Sequence, residues 1–200
     1  MECFHGLSDG AGAIEFLKTL LYEYFKLCGY DMDAEGMVLD AEGKVSADEL
    51  ENSFSTYYDA KGDFNKLKQP KAYHILGTRN DDDGIFLTHG IIDLKQLLAH
   101  VKTKGVTVSA YIAALLLFCI AKEQLLIERK VKKPIIVSVP MDLRSMFPSH
   151  TLRNFISFAN VGMSVEGELD FDEILAEISR QLKEGLTKEK ISANINKNVK

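Results

Sequence analysis

Short β-branched runs alternate with helical stretches along most of the sequence after Ala72. The predicted strands are Tyr73–Gly77, Gly84–Ile92, Pro134–Val139 and Phe155–Val165, and the predicted helices are Leu94–Lys104, Ser109–Arg129 and Asp170–Glu184. Pro140 is expected to end the third strand, because proline cannot donate to a sheet ladder. Alternation of elements with these lengths predicts an α/β fold in which helices cover a layered mixed sheet.

Helix boundaries are marked by local signals. An amphipathic helix is predicted from just after Asp9 to Gly29, and Asp93 and Gly105 cap the helix between them. The helix that starts at Ser109 is apolar nearly all round in its first half, which predicts burial between layers. Residues 30–72 are acidic and weakly periodic, with one short helix expected from Ser46.

Composition excludes several classes of protein. Of the 200 residues, 46% are hydrophobic and 26% charged, as in soluble globular proteins. The net charge is -5 without a basic stripe, so nucleic acid is excluded as a partner. The apolar run Ala110–Ala121 is shorter than the roughly 20 residues of a membrane span. Cys3, Cys28 and Cys119 follow no secretory signal, which predicts buried thiols in a cytoplasmic protein.

An HxxxDG pattern, formed by His5, Asp9 and Gly10, directly precedes the first helix. A histidine on such a turn can be exposed while the helix fixes its base. Neutral imidazole can then take a proton from a hydroxyl or an amine, as general bases do. The pattern alone fits better with an aspartate that caps the helix beside an incidental histidine, because a pattern with three fixed positions often matches by chance.

Three segments in the right order resemble the chloramphenicol acetyltransferase-like superfamily, which includes condensation domains and bacterial alcohol acetyltransferases. These segments are His5–Leu17, Val106–Ala114, and Val139–Arg144 followed by Leu152–Phe155. The first is similar to the family's HHxxxDG motif, with Phe4 in place of its first histidine. Among the subfamilies, the alcohol acetyltransferases fit best.

The resemblance implies a role for each matching residue. His5 is the general base, Asp9 and Arg144 form a buried ion pair that locks the His5 loop, and Gly10 is a turn residue. Asp9 and Arg144 are far apart in sequence, so their pairing must be tertiary. A planar arginine fork is expected to hold the carboxylate at two points, while His5 faces a cavity.

The implied function is acyl transfer, with acetyl as the expected group, from a coenzyme A thioester to a small-molecule alcohol. Coenzyme A is then a co-substrate, and no bound cofactor or metal ion is implied. The alternative is a non-catalytic descendant that acts as a binding or interaction module.

The chain departs from the family at both ends. The family has a long segment before the motif and a later DFGWG motif, neither of which is present here. We therefore expect residues 1–29 to form the last part of a first lobe and residues 73–200 to form the first part of a second lobe. Residues 30–72 are expected to connect the two lobes. A chain truncated in this way is expected to be inactive and to self-associate through its exposed lobe surface.

Other patterns compete with this interpretation. The loop Asp31–Glu42 nearly fits a calcium-binding loop, but Gly29 and Gly43 break the flanking helices, which favours an acidic solvated loop. Asp81–Gly84 indicates a hairpin turn rather than a metal site. Ser145 and Ser149 form no nucleophile elbow. The remaining histidines, each expected to be isolated, are His74, His89, His100 and His150.

Overall fold

The computed structural model describes residues 2–33, 36–60, 70–77, 87–127 and 133–199, with only the backbone described at 197–199. Its helices are α1 (Gly10–Leu27), α2 (Ser53–Thr56), α3 (Leu94–Thr103), α4 (Val108–Ile127), α5 (Phe171–Gly185) and α6 (Lys188–Val199). Strands β1 (Ile135–Asp142) and β2 (Ile156–Met163) form a two-stranded antiparallel sheet. Helices combined with a small sheet agree with the general α/β class.

The sheet in the described chain is smaller than the sequence predicts. Tyr73–Gly77 and the described residues 87–92 are irregular, whereas 84–86 lie outside the described residues. An isolated hairpin is only marginally stable, so strand propensity alone does not order such segments. β1 also continues through Pro140, contrary to prediction. In a two-stranded sheet each strand has an open edge, where a missing N–H is tolerated.

The ends of α1, α3 and α5 and the start of α4 lie within two residues of their predicted positions, whereas α2 and α6 were not predicted. The Asp93 side chain accepts a hydrogen bond of 2.8 Å from the N–H of Gln96 at the start of α3. Gly29 and Gly105 have φ values of 86° and 66°, the left-handed conformation that ends α1 and α3. The helix expected from Ser46 is a single 3-10 turn at Asp48–Leu50.

The apolar helix α4 is buried on one side only, which corrects the prediction that it lies between layers. Its buried residues are Ala110, Ala113, Ala114, Leu117, Ala121 and Gln124. Small alanine side chains at helical spacing allow close packing against α5. The opposite side, including Ile112, Leu115 and Leu116, is exposed.

The helix α4 is longer than the apolar run Ala110–Ala121, which by itself is too short to span a membrane. It has 20 residues with a mean hydropathy of 1.8, long and apolar enough by length and composition to cross a membrane. Core helices of soluble proteins can have the same length and hydropathy. One third (33%) of its apolar window is buried within the protein.

The chain packs into two compact units. The unit that we call the terminal unit comprises Met1–Asn65, Pro140–Ser157 and Lys188–Lys200, and the central unit comprises Lys66–Val139 and Phe158–Thr187. In the central unit, α5 contributes Ile174, Leu175 and Ile178 to the core. All three cysteines are exposed, contrary to the expected burial, because Cys28 and Cys119 lie on or beside helices with exposed apolar surfaces.

The core of the terminal unit is far from the HxxxDG segment in sequence and contacts it through Phe155. Its buried cluster consists of Leu143, Phe147, Phe155, Ile191 and Ile195. The Phe54 ring packs edge-on against Phe155 with a centroid separation of 5.2 Å. Phe155 is fully buried, and its N–H donates a hydrogen bond to Asp9 of the HxxxDG segment. The core therefore holds this part of the candidate site in place.

Candidate functional site

His5 lies in a turn of residues 5–7 that immediately precedes α1. The N–H of Leu7 donates a 3.0 Å hydrogen bond to the carbonyl oxygen of Phe4 and closes the turn. The His5 side chain is exposed. An exposed imidazole on an ordered turn is accessible to a small molecule.

The two carboxylate oxygens of Asp9 have different partners. Oδ1 accepts hydrogen bonds from the N–H groups of Ala11 (3.1 Å) and Gly12 (3.2 Å), which caps α1. Oδ2 accepts hydrogen bonds of 2.8 Å each from Arg144 Nη1 and the N–H of Phe155. The Asp9 side chain is 0% exposed. Capping and ion pairing, which the sequence presented as alternatives, therefore occur together.

Arg144 uses all its N–H donors within the terminal unit. Nη1 bonds to Asp9 and, at 2.9 Å, to Asp142 Oδ1. Nε and Nη2 both donate to the carbonyl oxygen of Thr151, and Nη2 also donates to that of Arg153. The expected ion pair, within 4 Å and largely buried, is confirmed, since Arg144 is only 15% exposed. The expected two-point grip on Asp9 is wrong, because the other donors of the fork bond to main-chain oxygens and Asp142.

Hydrogen bonds decide the charge state of this pair. Burial acts to raise the pKa of Asp9, but the hydrogen bonds from Arg144, Phe155 and Gly12 outweigh it and hold the pKa below its ordinary value. Burial likewise acts to lower the pKa of Arg144, and Asp9 and Asp142 more than offset it. Both groups are charged at neutral pH, so the pair is a true salt bridge.

The segment 152–155 is bonded to the HxxxDG turn at further points. Ser8 Oγ donates a 2.6 Å hydrogen bond to the carbonyl oxygen of Leu152. Asn154 Nδ2 donates to the carbonyl oxygen of His5 at 3.2 Å and lies 3.5 Å from His5 Nδ1. Hydrogen bonds made by Ser8 and Asn154 thus join the HxxxDG segment to the segment 152–155.

The same segment is fixed from its other side by the 3-10 turn at 48–50 and the residues after it. Thr151 Oγ1 donates to the carbonyl oxygen of Glu51 at 2.7 Å, and the N–H of Leu152 donates to that of Glu49 at 2.9 Å. Ser149 and Ser53 share a 2.7 Å hydrogen bond. Part of the region expected to be only a connector therefore supports the site.

The two glycines at the start of α1 have different surroundings. A Cβ added at Gly12 would collide with the carbonyl oxygen of Leu152 and with Ser8 Oγ, whereas one added at Gly10 would meet open space. Gly10, expected as a turn residue, is the first residue of α1 and lacks a positive φ. Close approach of α1 to the 152–155 segment therefore requires Gly12 and not Gly10.

One cavity in the described part of the chain lies away from His5. It has a volume of about 300 Å³ and is lined by Tyr22, Glu23, Lys26 and the loop that includes Asp40 and Glu42. His5 does not line this cavity, and the expectation that His5 faces a cavity stays a prediction. The Asp40 carboxylate accepts a 3.0 Å hydrogen bond from the N–H of Glu42 in the same loop.

Metal binding finds no support among the described residues, which contain no group of three or more His, Cys, Asp or Glu placed to hold an ion. In the calcium-like loop, residues 34 and 35 lie outside the described residues. The predicted turn at Asp81–Gly84 also lies outside them. The other histidines, all exposed, are His74, His89, His100 and His150.

Sequence reasoning missed Asn154 and Asp142. Asn154 belongs to a segment that carried the family resemblance, but no local signal relates it to His5, because 149 positions separate them. Asp142 caps the turn that starts at Leu143, and its spacing from Arg144 could have indicated a second carboxylate for the guanidinium.

Comparisons with protein-family models, with curated proteins and with solved structures found no match to this chain.

Proposed function

We propose that this chain carries the acceptor-activating histidine of a chloramphenicol acetyltransferase-like acyltransferase. The proposed reaction moves an acyl group, with acetyl as the expected one, from a coenzyme A thioester to a small-molecule alcohol. His5 is the general base, and Asp9 and Arg144 hold its loop. The proposal rests on the motif resemblance together with one observation, the buried Asp9–Arg144 ion pair.

This ion pair supports the proposal because a helix cap alone does not need it. A capping aspartate uses one oxygen to accept N–H groups of the first turn, as Asp9 Oδ1 does. The second oxygen bonds to an arginine 135 positions away, which the family motif implies and local sequence does not. Burying two charges carries a desolvation cost, which their attraction and further hydrogen bonds must offset, and the benefit proposed for this pair is that it fixes the orientation of the His5 loop.

The proposed reaction is direct transfer without a covalent enzyme intermediate. The imidazole of His5 takes the hydroxyl proton while the alcohol oxygen forms a bond to the thioester carbonyl carbon, whose oxygen becomes an oxyanion. Collapse of this intermediate breaks the carbon–sulfur bond. The departing thiolate takes the proton from the imidazolium, leaving an ester and free coenzyme A.

The test is the substitution His5→Ala. Release of thiol from acetyl-coenzyme A is followed in the presence of small alcohols, and we expect the variant to lose at least about 10²-fold in rate. Its thermal unfolding should match that of the parent, because His5 is exposed. His150→Ala, which removes another exposed histidine of the terminal unit, serves as the control. Equal rates for the parent and His5→Ala would refute the assignment.

A second candidate function is a binding module without turnover, and the surface of α1 favours it. Large apolar side chains of α1 are exposed, and they include Ile14, Phe16, Leu20, Leu21 and Tyr24. Such a surface is typical of an interaction site. Thiol release that depends on His5 would decide for the enzyme over the binding module.

A further inference from the structure

Asn154 occupies a fixed position between two residues that the ion pair holds. The carbonyl oxygen of Arg153 accepts a 2.8 Å hydrogen bond from Arg144 Nη2, and the N–H of Phe155 donates a 2.8 Å hydrogen bond to Asp9 Oδ2. The backbone on both sides of Asn154 is therefore anchored to the same salt bridge. Among the hydrogen bonds of the described residues, none joins the Asp9 or Arg144 side chain to the His5 ring, whereas the Asn154 amide lies within hydrogen-bond distance of it.

The Asn154 amide faces His5 with its nitrogen. Nδ2 donates to the main-chain oxygen of His5 at 3.2 Å and lies 3.5 Å from His5 Nδ1. The carbonyl oxygen of His5 can only accept, so it selects the amide nitrogen for this position. The group next to Nδ1 is therefore a hydrogen-bond donor, and a neutral ring meets it with the lone pair of Nδ1. The proton of the neutral imidazole is then on Nε2.

We infer that Asn154 is a positioning residue that sets which nitrogen of the His5 imidazole carries the proton. The inference rests on the proposed function only for its consequence in the reaction. In this arrangement a neutral ring carries its proton on Nε2, which then cannot take another. A half-turn of the amide would give up the hydrogen bond to the main-chain oxygen of His5 and bring Oδ1 to Nδ1, where it accepts Nδ1–H and leaves the lone pair of Nε2 free as the base.

An asparagine suits both arrangements, because its side chain carries a donor and an acceptor of similar size. An aspartate at this position can only accept when it is ionised. Asn154→Asp should therefore favour the Nδ1–H form in the resting protein. Asn154→Leu keeps the volume and removes both hydrogen-bonding functions, which makes it the matched control for packing.

Nitrogen-15 NMR of the histidine-labelled chain tests this without any need for activity. Spectra are recorded at about pH 8.5, where ordinary histidine is neutral, and His5→Ala identifies the His5 signals. Couplings to the ring carbon-bound protons distinguish the two nitrogens. We expect Nε2–H in the parent, exchange of the two nitrogen positions in Asn154→Asp, and loss of the Nδ1 hydrogen-bond shift in Asn154→Leu.

The same tautomer in the parent and in Asn154→Asp would overturn the inference, even if His5 proved catalytic. Conversely, a tautomer exchange in a protein without acyltransferase activity would support the inference and count against the proposed function. If Asn154→Asp fails to fold, the parent decides the question. A nuclear Overhauser effect between the Asn154 amide protons and the His5 ring proton beside Nδ1 supports the contact, and its absence refutes it.

Discussion

Asp9 and Asp142 both contact Nη1 of Arg144 but differ in burial. Asp9 is 0% exposed and Asp142 is 50% exposed, although their distances to Nη1 are 2.8 Å and 2.9 Å. The distances alone therefore do not show which of the two carboxylates contributes more to the stability of the protein. Loss of Asp9 leaves the largely buried Arg144 paired with the half-exposed Asp142, whereas loss of Asp142 removes a carboxylate that water already solvates and keeps the buried pair.

We expect Asp9→Asn to lower the free energy of unfolding by about 3 kcal/mol, because an amide cannot neutralise the buried guanidinium. Asp142→Asn, the matched change at the exposed carboxylate, should cost about 1 kcal/mol or less. Urea unfolding followed by circular dichroism measures both. Similar losses in the two variants would show that burial of Asp9 adds nothing to the strength of the pair.

The ion pair should also make stability depend on pH in acid. The folded-state pKa of Asp9 lies below its ordinary value of 3.8, so the unfolded chain takes up this proton first as pH falls. The stabilisation is complete above that ordinary value and is lost as pH falls through the lower folded-state pKa. The difference in unfolding free energy between the parent and Asp9→Asn should be constant above about pH 5 and shrink towards about pH 2.

The comparison with Asp9→Asn is needed because other carboxylates titrate in the same direction. Hydrogen bonds from Arg180 and Gln181 lower the pKa of Glu177 to about 2. Its contribution is common to the parent and the variant and cancels in the difference. A difference that stays constant down to about pH 2 would contradict the lowered pKa of Asp9.

At the scale of elements, the start of α1 depends on how closely the helix approaches the 152–155 segment. A Cβ at Gly12 would collide with the main-chain oxygen of Leu152. The peptide unit that carries this oxygen is held by two hydrogen bonds, because the oxygen accepts from Ser8 Oγ and the N–H of Arg153 donates to Thr151 Oγ1. Rotation of the Leu152 carbonyl away from the added Cβ would therefore disturb both hydrogen bonds.

Gly12→Ala should therefore destabilise the protein by about 1 to 3 kcal/mol, the range for overpacked sites. Gly10→Ala meets open space and replaces a poor helix former, so it should be neutral or stabilising by up to about 1 kcal/mol. Thermal unfolding of the two variants provides the measurement. A Gly12→Ala protein as stable as Gly10→Ala would mean that α1 does not lie this close to Leu152.

At the scale of the whole molecule, exposed apolar helix surface occurs in each unit. In the terminal unit it lies on α1, and in the central unit on α4, where Ile112, Leu115 and Leu116 are exposed. Contiguous apolar surface on a soluble protein promotes association. The structure gives no indication of what covers these surfaces.

We expect the chain of residues 1–200 to self-associate through its exposed apolar helix surfaces. Sedimentation at several concentrations should give an average mass that rises with concentration. Leu20→Lys, which places a charge on the exposed apolar surface of α1, should weaken association, whereas Ala11→Lys adds the same charge at an exposed position in the first turn. A monomer at all concentrations, or equal effects of both variants, would contradict a role for α1 in association.

The sequence by itself determined the features that depend on near neighbours. Asp93 caps its helix as predicted, Asp9 and Asp170 lie where helices were predicted to start, and Gly29 and Gly105 mark helix ends. Each of these bonds or backbone conformations involves residues only a few positions apart. The Asp9–Arg144 pairing was also predicted, but only through the family resemblance. No local rule relates residues at that separation.

Only the tertiary structure decided which groups complete the site and which segments gain partners. Asn154 reaches His5 because the salt bridge anchors the backbone on both sides of it, an arrangement that no spacing rule encodes. Tyr73–Gly77 has strand propensity but is irregular, and α4 is apolar nearly all round but is buried on one side. Propensity and periodicity describe what a segment can bury or pair, whereas burial and pairing require a second surface that is brought alongside by the rest of the chain.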